Sequence, residues 1–325
     1  MAHALTTRQN GMTEMFAYGA EPWHGLGQRI DHVATAKEAI QLGGLDWKTI
    51  MEPVITAGGQ VLEGKYITLR EDNGQPLGVV GSKYEILQNS KAFQFMDAVT
   101  QDPGGPKYHT AGSLFGGRKI WLLAKMPDFI EVTKDDIVEE YLLLSNSHDG
   151  TKAVNVMPTP IRVVCNNTLS RAHRLEQKAR KGFKIRHSGD ILNKVNNVQD
   201  ALGIIRQTFV ETGEIYKALA KVEPTKAQVD EVLNRLFPET KSARSSLQKE
   251  RVLELAETGI GNGSRNNLGT AWALYNGITE LVDHREGMGA KGPDAADSRL
   301  NRIWFGSGAE FKTEALETLV SVCLN

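Results

Sequence analysis

Residues 145–186 read SNSHDG (145–150), TKAVNVMPTPIRVVCNNTL (151–169) and SRAHRLEQKARKGFKIR (170–186). Asp149-Gly150 suits the positive φ of a tight type I′ turn, so Glu139 to Asn146 and Lys152 to Val156 are predicted to pair as a hairpin. Pro158 and Pro160 bracket Thr159 and hold the chain extended, after which Ile161, Val163 and Val164 continue as a buried strand. Asn166-Asn167-Thr168 then offers N-cap oxygens to a helix beginning near Leu169. On that helix Arg171, Arg174 and Lys178 follow i, i+3, i+7 spacing and share one face, with Lys181 close to it. Beyond it, Lys184 and Arg186 alternate with Phe183, Ile185 and His187 as in a short strand.

Upstream, the pattern is that of antiparallel hairpins with interspersed helices. Met1 to Ala20 is polar and Gly-punctuated and reads as a poorly ordered leader. PWHGLG (22–27) then places Trp23 in a tight turn as a plug for the core, with His24 beside it as a structural hydrogen-bonder or a base. Thr35 and Glu38 form a capping box for a short helix that stops at Gly43-Gly44. Pro53 to Thr56, Tyr66 to Arg70 and Leu77 to Val80 read as strands of a meander. Ile67 and Leu69 alternate with Tyr66, Thr68 and Arg70, as in a sheet with one wet face. Asn89 to Thr100 has Phe93, Met96 and Val99 at helical spacing, with Phe95 alongside. In the next hairpin Ile120, Leu122 and Ala124 take one face. Trp121, Leu123 and Lys125 take the other, which is apolar enough to require a cover from a helix or another subunit.

Downstream of Ser188 the periodicity is helical throughout, over Ile191 to Ala220, Thr225 to Phe237, Ala243 to Thr258, Asn266 to Asp283 and Phe311 to Leu324. The organisation expected is therefore a leader over 1–20, an α+β core over 21–189 built on an antiparallel sheet, and an α-helical region over 190–325.

The chain has 325 residues, 24% of them charged, and a formal net charge of −1, so only local asymmetry can carry an electrostatic argument. One such asymmetry exists. From Lys152 to Arg186 the cations are Lys152, Arg162, Arg171, Arg174, Lys178, Arg180, Lys181, Lys184 and Arg186, against the single acid Glu176. The two cysteines, Cys165 and Cys323, lie too far apart in sequence for a small disulfide scaffold. Neither a signal-peptide pattern nor a membrane-length apolar run is present, so a reducing cytoplasm is expected.

Signals for chemistry are sparse. Cys165 precedes a predicted helix N-terminus and His148 lies one hairpin earlier, which permits a nucleophile and base reading. A buried strand cysteine and a turn histidine account for the same residues. HxxxH and CxxC spacings are absent, GxxxxGK[ST] is absent, and GNGSRNNLG (261–269) lacks the lysine and the preceding strand of a phosphate loop. No metal or cofactor is therefore expected. The basic segment is the remaining signal: Arg162, Arg171, Arg174, Lys178, Arg180, Lys181, Lys184 and Arg186 suit a phosphate backbone. Tyr66, Tyr84, Tyr108 and Trp121 are candidate stacking surfaces for bases.

In order along the chain, PWHGLG, LGVVGSKYEILQN, TAGSLFGGRKIWLLAKMP, SNSHDG, TPIRVVCNNTL and GTAWALYNGITELVDH resemble a family catalogued as domain of unknown function 932, also called phage/plasmid-like protein. The resemblance runs from about Trp23 to the C-terminus and is most specific over SHDG to RVVCNNTL. It implies a home in phages and mobile elements and supplies no catalytic residues. Strands in series leading into a basic helix also look like the β-β-β-α core of single-strand annealing proteins of the Rad52 and RecT types, which is an analogy of topology. The expectation is a homo-oligomeric, ring-forming single-stranded-DNA-binding protein of recombination or replication. An enzyme centred on Cys165 with His148 or His24, and an assembly or host-interaction protein, are the alternatives.

Overall fold

Gly150 sits at φ +74°, and across its turn two long strands pair antiparallel from Ser145 opposite Asn155 to Val138 opposite Arg162. The computed structural model describes residues 6–7, 11–19, 27–32, 34–100, 107–134, 136–162, 167–168, 183–188, 199–239, 244–260, 262, 267–285, 302–303 and 306–324. Its elements are β1 (Met15–Tyr18), β2 (Gln28–Ile30), α1 (Ala36–Leu42), β3 (Thr49–Ile55), β4 (Val61–Arg70), β5 (Pro76–Gly81), α2 (Asn89–Thr100), β6 (Lys107–Leu114), β7 (Lys119–Thr133), β8 (Asp136–Ser147), β9 (Val154–Arg162), β10 (Asn167–Thr168) and β11 (Phe183–Ile185). Helices α3 (Gln199–Leu219), α4 (Lys226–Leu236), α5 (Arg244–Thr258), α6 (Ala271–Glu280), a π-helical turn (Leu281–Arg285) and α7 (Ser307–Cys323) follow. The fold is α+β.

An eight-stranded sheet runs β10-β9-β8-β7-β6-β1-β2, with β11 also on β9, and a separate sheet runs β3-β4-β5. The core of the large sheet lies where Ile120, Leu122, Ala124, Leu142 and Leu144 meet Ala39 of α1 and Phe93, Phe95 and Met96 of α2. Helix α1 starts at the expected capping box: the Thr35 side chain accepts from the Glu38 amide and the Glu38 carboxylate accepts from the Thr35 amide.

Helices α3 to α7 enclose a second core that takes in Ile130, Val132 and Val138 from the far end of the β7–β8 hairpin. A polar joint fixes that contact. Asp136 accepts hydrogen bonds from the Trp272 indole at 2.8 Å and from the Asn267 amide at 2.6 Å. Asn267, within the segment that superficially suggests a phosphate loop, thus braces a hairpin, and it also accepts from the Thr133 hydroxyl at 2.9 Å.

Three expectations are corrected. The leader gives way over Met15–Tyr18 to a buried strand that pairs parallel with β2 and antiparallel with β6. Trp121 and Leu123, 1% and 2% exposed, are covered within the single chain, in a cluster with Met15, Ala17, Tyr141 and Leu143, so they require no second copy. The small sheet is inverted relative to its sequence pattern: Thr68 and Arg70 are buried, while Ile67 and Leu69 are only half-buried. Inward polar groups are stable there because each has a partner. The Thr68 hydroxyl donates to the His148 carbonyl at 2.7 Å. Arg70 forks onto Glu14 at 2.9 and 3.1 Å, reaches Asp72 at 2.8 and 3.0 Å, and lies 4.4 Å over the Trp47 ring.

Candidate nucleic-acid interface

The SHDG turn is positioned by the packing of β5 against it. A Cβ at Gly78 would fall 2.6 Å from the Asp149 Cα, so only glycine allows this approach. His148 is fully buried. Asn89 uses its amide nitrogen on the carbonyls of Leu45 and Trp47, which makes its oxygen the acceptor for His148 Nε2 at 2.9 Å. Nε2 therefore carries the proton, and Nδ1 accepts from the Thr49 hydroxyl at 3.1 Å. Burial, with the neighbouring His187, drives the His148 pKa down to about 3, and this neutral tautomer is the one the partners require.

Asp149 is equally committed. Its carboxylate accepts from Ser147 and from both the hydroxyl and the amide of Thr151, at 2.6 and 2.9 Å for the latter pair. Burial alone would raise its pKa; the hydrogen bonds and Lys119 outweigh that and hold it below the usual carboxylate value. Tyr84 donates to the Ser147 carbonyl at 2.8 Å and stacks on His187 at 4.7 Å. The turn's polar groups thus serve to join both sheets and α2. Cys165 and His24, the other members of the nucleophile reading, lie outside the described residues.

Arg171, Arg174, Lys178, Arg180 and Lys181 also lie outside the described residues. Their flanks do not. Thr168 pairs with Ile161 and Phe183 pairs with Val156, so both ends of the basic segment are held on the outer edge of β9. Arg162 sits on β9 opposite Val138 and Asn167, and Lys184 sits on β11 opposite Asn155. The same register places Arg186, just past Ile185, at the end of β9 near Lys152, and both side chains are exposed. Neither has a carboxylate partner among the described residues.

The aromatic groups expected to stack on bases are mostly committed elsewhere. Tyr108 and Trp121 are buried, and Tyr84 is held by Ser147 and His187; Tyr66, on the small sheet, is half-buried. A group not singled out in sequence lies instead on the Trp121 face of the large sheet. The pairing of β6 with β7 shifts between Tyr108 and Thr110, and His109 meets Tyr141 edge-on at 5.1 Å and Tyr18 at 6.2 Å. Tyr141 donates to Glu139 at 2.7 Å, and Glu139 also pairs with Lys125. Burial depresses the His109 pKa and raises that of Tyr141. Glu139 faces Ile161 across the β8–β9 pair, and Ile161 faces Thr168, so this cluster lies two strands from the origin of the basic segment. The register shift at His109, invisible in periodicity, accompanies the contact of its ring with Tyr141, which the β7–β8 pairing already holds beside Lys125 and Glu139.

The family model described as Domain of unknown function (DUF932) matches residues 76–304. The chain belongs to the DUF932 family. The DUF932 match begins at β5 and ends just before α7, so it takes in the SHDG turn, the basic segment and most of the helical region. No curated protein and no solved structure matches the chain. Among the described residues no helix is long and apolar enough to cross a membrane, and no group of three or more His, Cys, Asp or Glu side chains is placed to hold a metal.

Proposed function

We propose that this DUF932 protein binds single-stranded nucleic acid, as a phage- or mobile-element-type mediator of recombination or replication in a bacterial cytoplasm. The observation that carries the reading is the attachment of both ends of the cation-rich segment to the outer edge of β9: Thr168 and Phe183 pair there, and Lys152 and Arg186 stand exposed beside Phe183–Ile185. Between Lys152 and Arg186 the sequence carries nine cations against one acid, a density that suits a phosphate backbone. Arg162, Arg171, Arg174, Lys178, Arg180, Lys181, Lys184 and Arg186 are the proposed contacts. The reading needs no cofactor.

Anisotropy titrations of a labelled single strand across a salt series test it. Affinity falls steeply with salt because counterions are released, and replacing Arg174 and Lys178 by alanine lowers the slope by about 1.4, at roughly 0.7 per phosphate contact on a single strand. Absence of binding at low salt contradicts the reading.

A second reading, self-assembly, is favoured by the inverted small sheet. Its outward face carries Val79, 58% exposed, beside half-buried Ile67 and Leu69, and its far end exposes Ile55 and Val61. Apolar surface of this kind suits a homo-oligomer. Sedimentation velocity of the wild type against Val79→Lys and Ile67→Glu separates the two readings. Loss of an oligomer with nucleic-acid binding retained assigns that face to assembly alone.

A further inference from the structure

Glu52 on β3 pairs opposite Ile67 on β4, and Ile67 pairs opposite Val79 on β5, so the three stand in one row across the small sheet. Side chains alternate between faces along a strand, and Thr68 and Arg70 point inward, so this row lies on the outward face. Leu69 follows on one side of the row and Lys65 on the other. Val79 is 58% exposed, Glu52 and Lys65 are exposed, and Ile67 and Leu69 are half-buried. Glu52 and Lys65 are diagonal neighbours, a separation of about 7–8 Å between backbones. Neither side chain has an ion-pair partner among the described residues.

We propose that this face is a two-fold interface between two copies of the chain, with Glu52 of each copy against Lys65 of the other across a centre of Ile67 and Val79. The proposal rests on the self-assembly reading and specifies its partner and symmetry. In a two-fold pair one patch meets itself, so each group must find its complement within the patch. The strand register supplies this. An axis lying between the two faces and running over Ile67 and Val79 sets those side chains against their own counterparts, and it exchanges the positions of Glu52 and Lys65. That axis runs oblique to the strands, so the two sheets cross steeply, as in orthogonal sheet packing. Each copy then covers the other's apolar row, and both charges gain a partner at its rim. A phosphate backbone is a poor occupant, because Glu52 and Glu63, both exposed, offset Lys65 on this face.

Sedimentation velocity of the full chain tests the proposal with four samples beside the wild type: Glu52→Lys, Lys65→Glu, their equimolar mixture, and the double variant. The wild type is expected to dimerise. Each single variant sets like charges together at two symmetry-related contacts, so the dimer dissociation constant rises at least about tenfold. The mixture and the double variant both return to wild-type affinity, because every contact again joins a cation to an anion. Recovery on mixing also separates a contact between copies from one within a chain, which mixing leaves unrepaired. Both positions are exposed, so the variants keep the wild-type melting temperature of the monomer. A wild-type chain that stays monomeric leaves this face to a different partner, and overturns both the proposal and the self-assembly reading. A wild-type oligomer that tolerates both single variants, or that the mixture fails to restore, overturns the charge exchange alone and leaves the self-assembly reading standing.

Discussion

His148, in the turn between β8 and β9, and Arg186, just past β11 on the other side of β9, differ in what surrounds them. His148 has no exposed surface, and both ring nitrogens are bonded to groups of the protein; Arg186, beside Lys152 at the end of the β9–β11 pair, is exposed and lacks a carboxylate partner among the described residues. In sequence, SHDG looks more like chemistry than GFKIR does. In the structure the turn's polar groups join two sheets and a helix, while Lys152 and Arg186 beside it are exposed. A residue type suited to catalysis carries little weight until its hydrogen bonds have been assigned.

The contrast can be broken by substitution, beginning with the buried groups. Arg70→Met leaves Glu14 charged in the interior without its fork, and a loss of about 3–5 kcal/mol is expected in urea unfolding. A loss below about 1 kcal/mol would mean that the inverted small sheet is not anchored by this pair. His148→Ala strands the Asn89 oxygen and the Thr49 hydroxyl and opens a cavity beside Trp47; about 2–4 kcal/mol is expected from the same measurement. Near-wild-type stability would return His148 to the list of functional candidates. Arg186→Ala and Lys152→Ala, by contrast, should stay within about 0.5 kcal/mol of wild type while weakening oligonucleotide binding.

Acid adds a sharper test of the histidine. The folded pKa of His148, about 3, lies below the ordinary value of 6.5, so between those pH values the unfolded chain binds more protons than the folded one. Its contribution to stability is complete above pH 6.5 and is lost as pH falls toward 3; burial depresses His187 in the same direction. Denaturant midpoints measured from pH 7 to pH 4 should therefore fall, and the fall should be shallower in His148→Ala than in wild type. Parallel slopes would mean that the buried histidine does not govern acid lability.

Much of the scaffold was legible because its signals are local. The Thr35/Glu38 capping box and the apolar spacing of α4 to α6 each report on a few adjacent residues, and each matches its element; Gly150 has the expected positive φ but Asp149 does not, so the connection is a longer loop and not the tight type I′ turn expected. The misses come from distant partners. MFAY is too short to announce a strand, and β1 exists because β6 and β2 flank it. Thr68 and Arg70 look solvent-facing because their partners, the His148 carbonyl and Glu14, lie 80 and 56 residues away. Of the candidate site, sequence identified the cation excess but neither its attachment to β9 nor the His109–Tyr141–Glu139–Lys125 cluster on the same sheet.

The most direct test of the central claim is photo-crosslinking of the full chain to a bromodeoxyuridine-substituted single strand, followed by peptide mass spectrometry. The account predicts crosslinked peptides within residues 152–186, lost when Arg174, Lys178 and Arg186 are replaced together. Crosslinks confined to α3 through α7, or none above background, would contradict it.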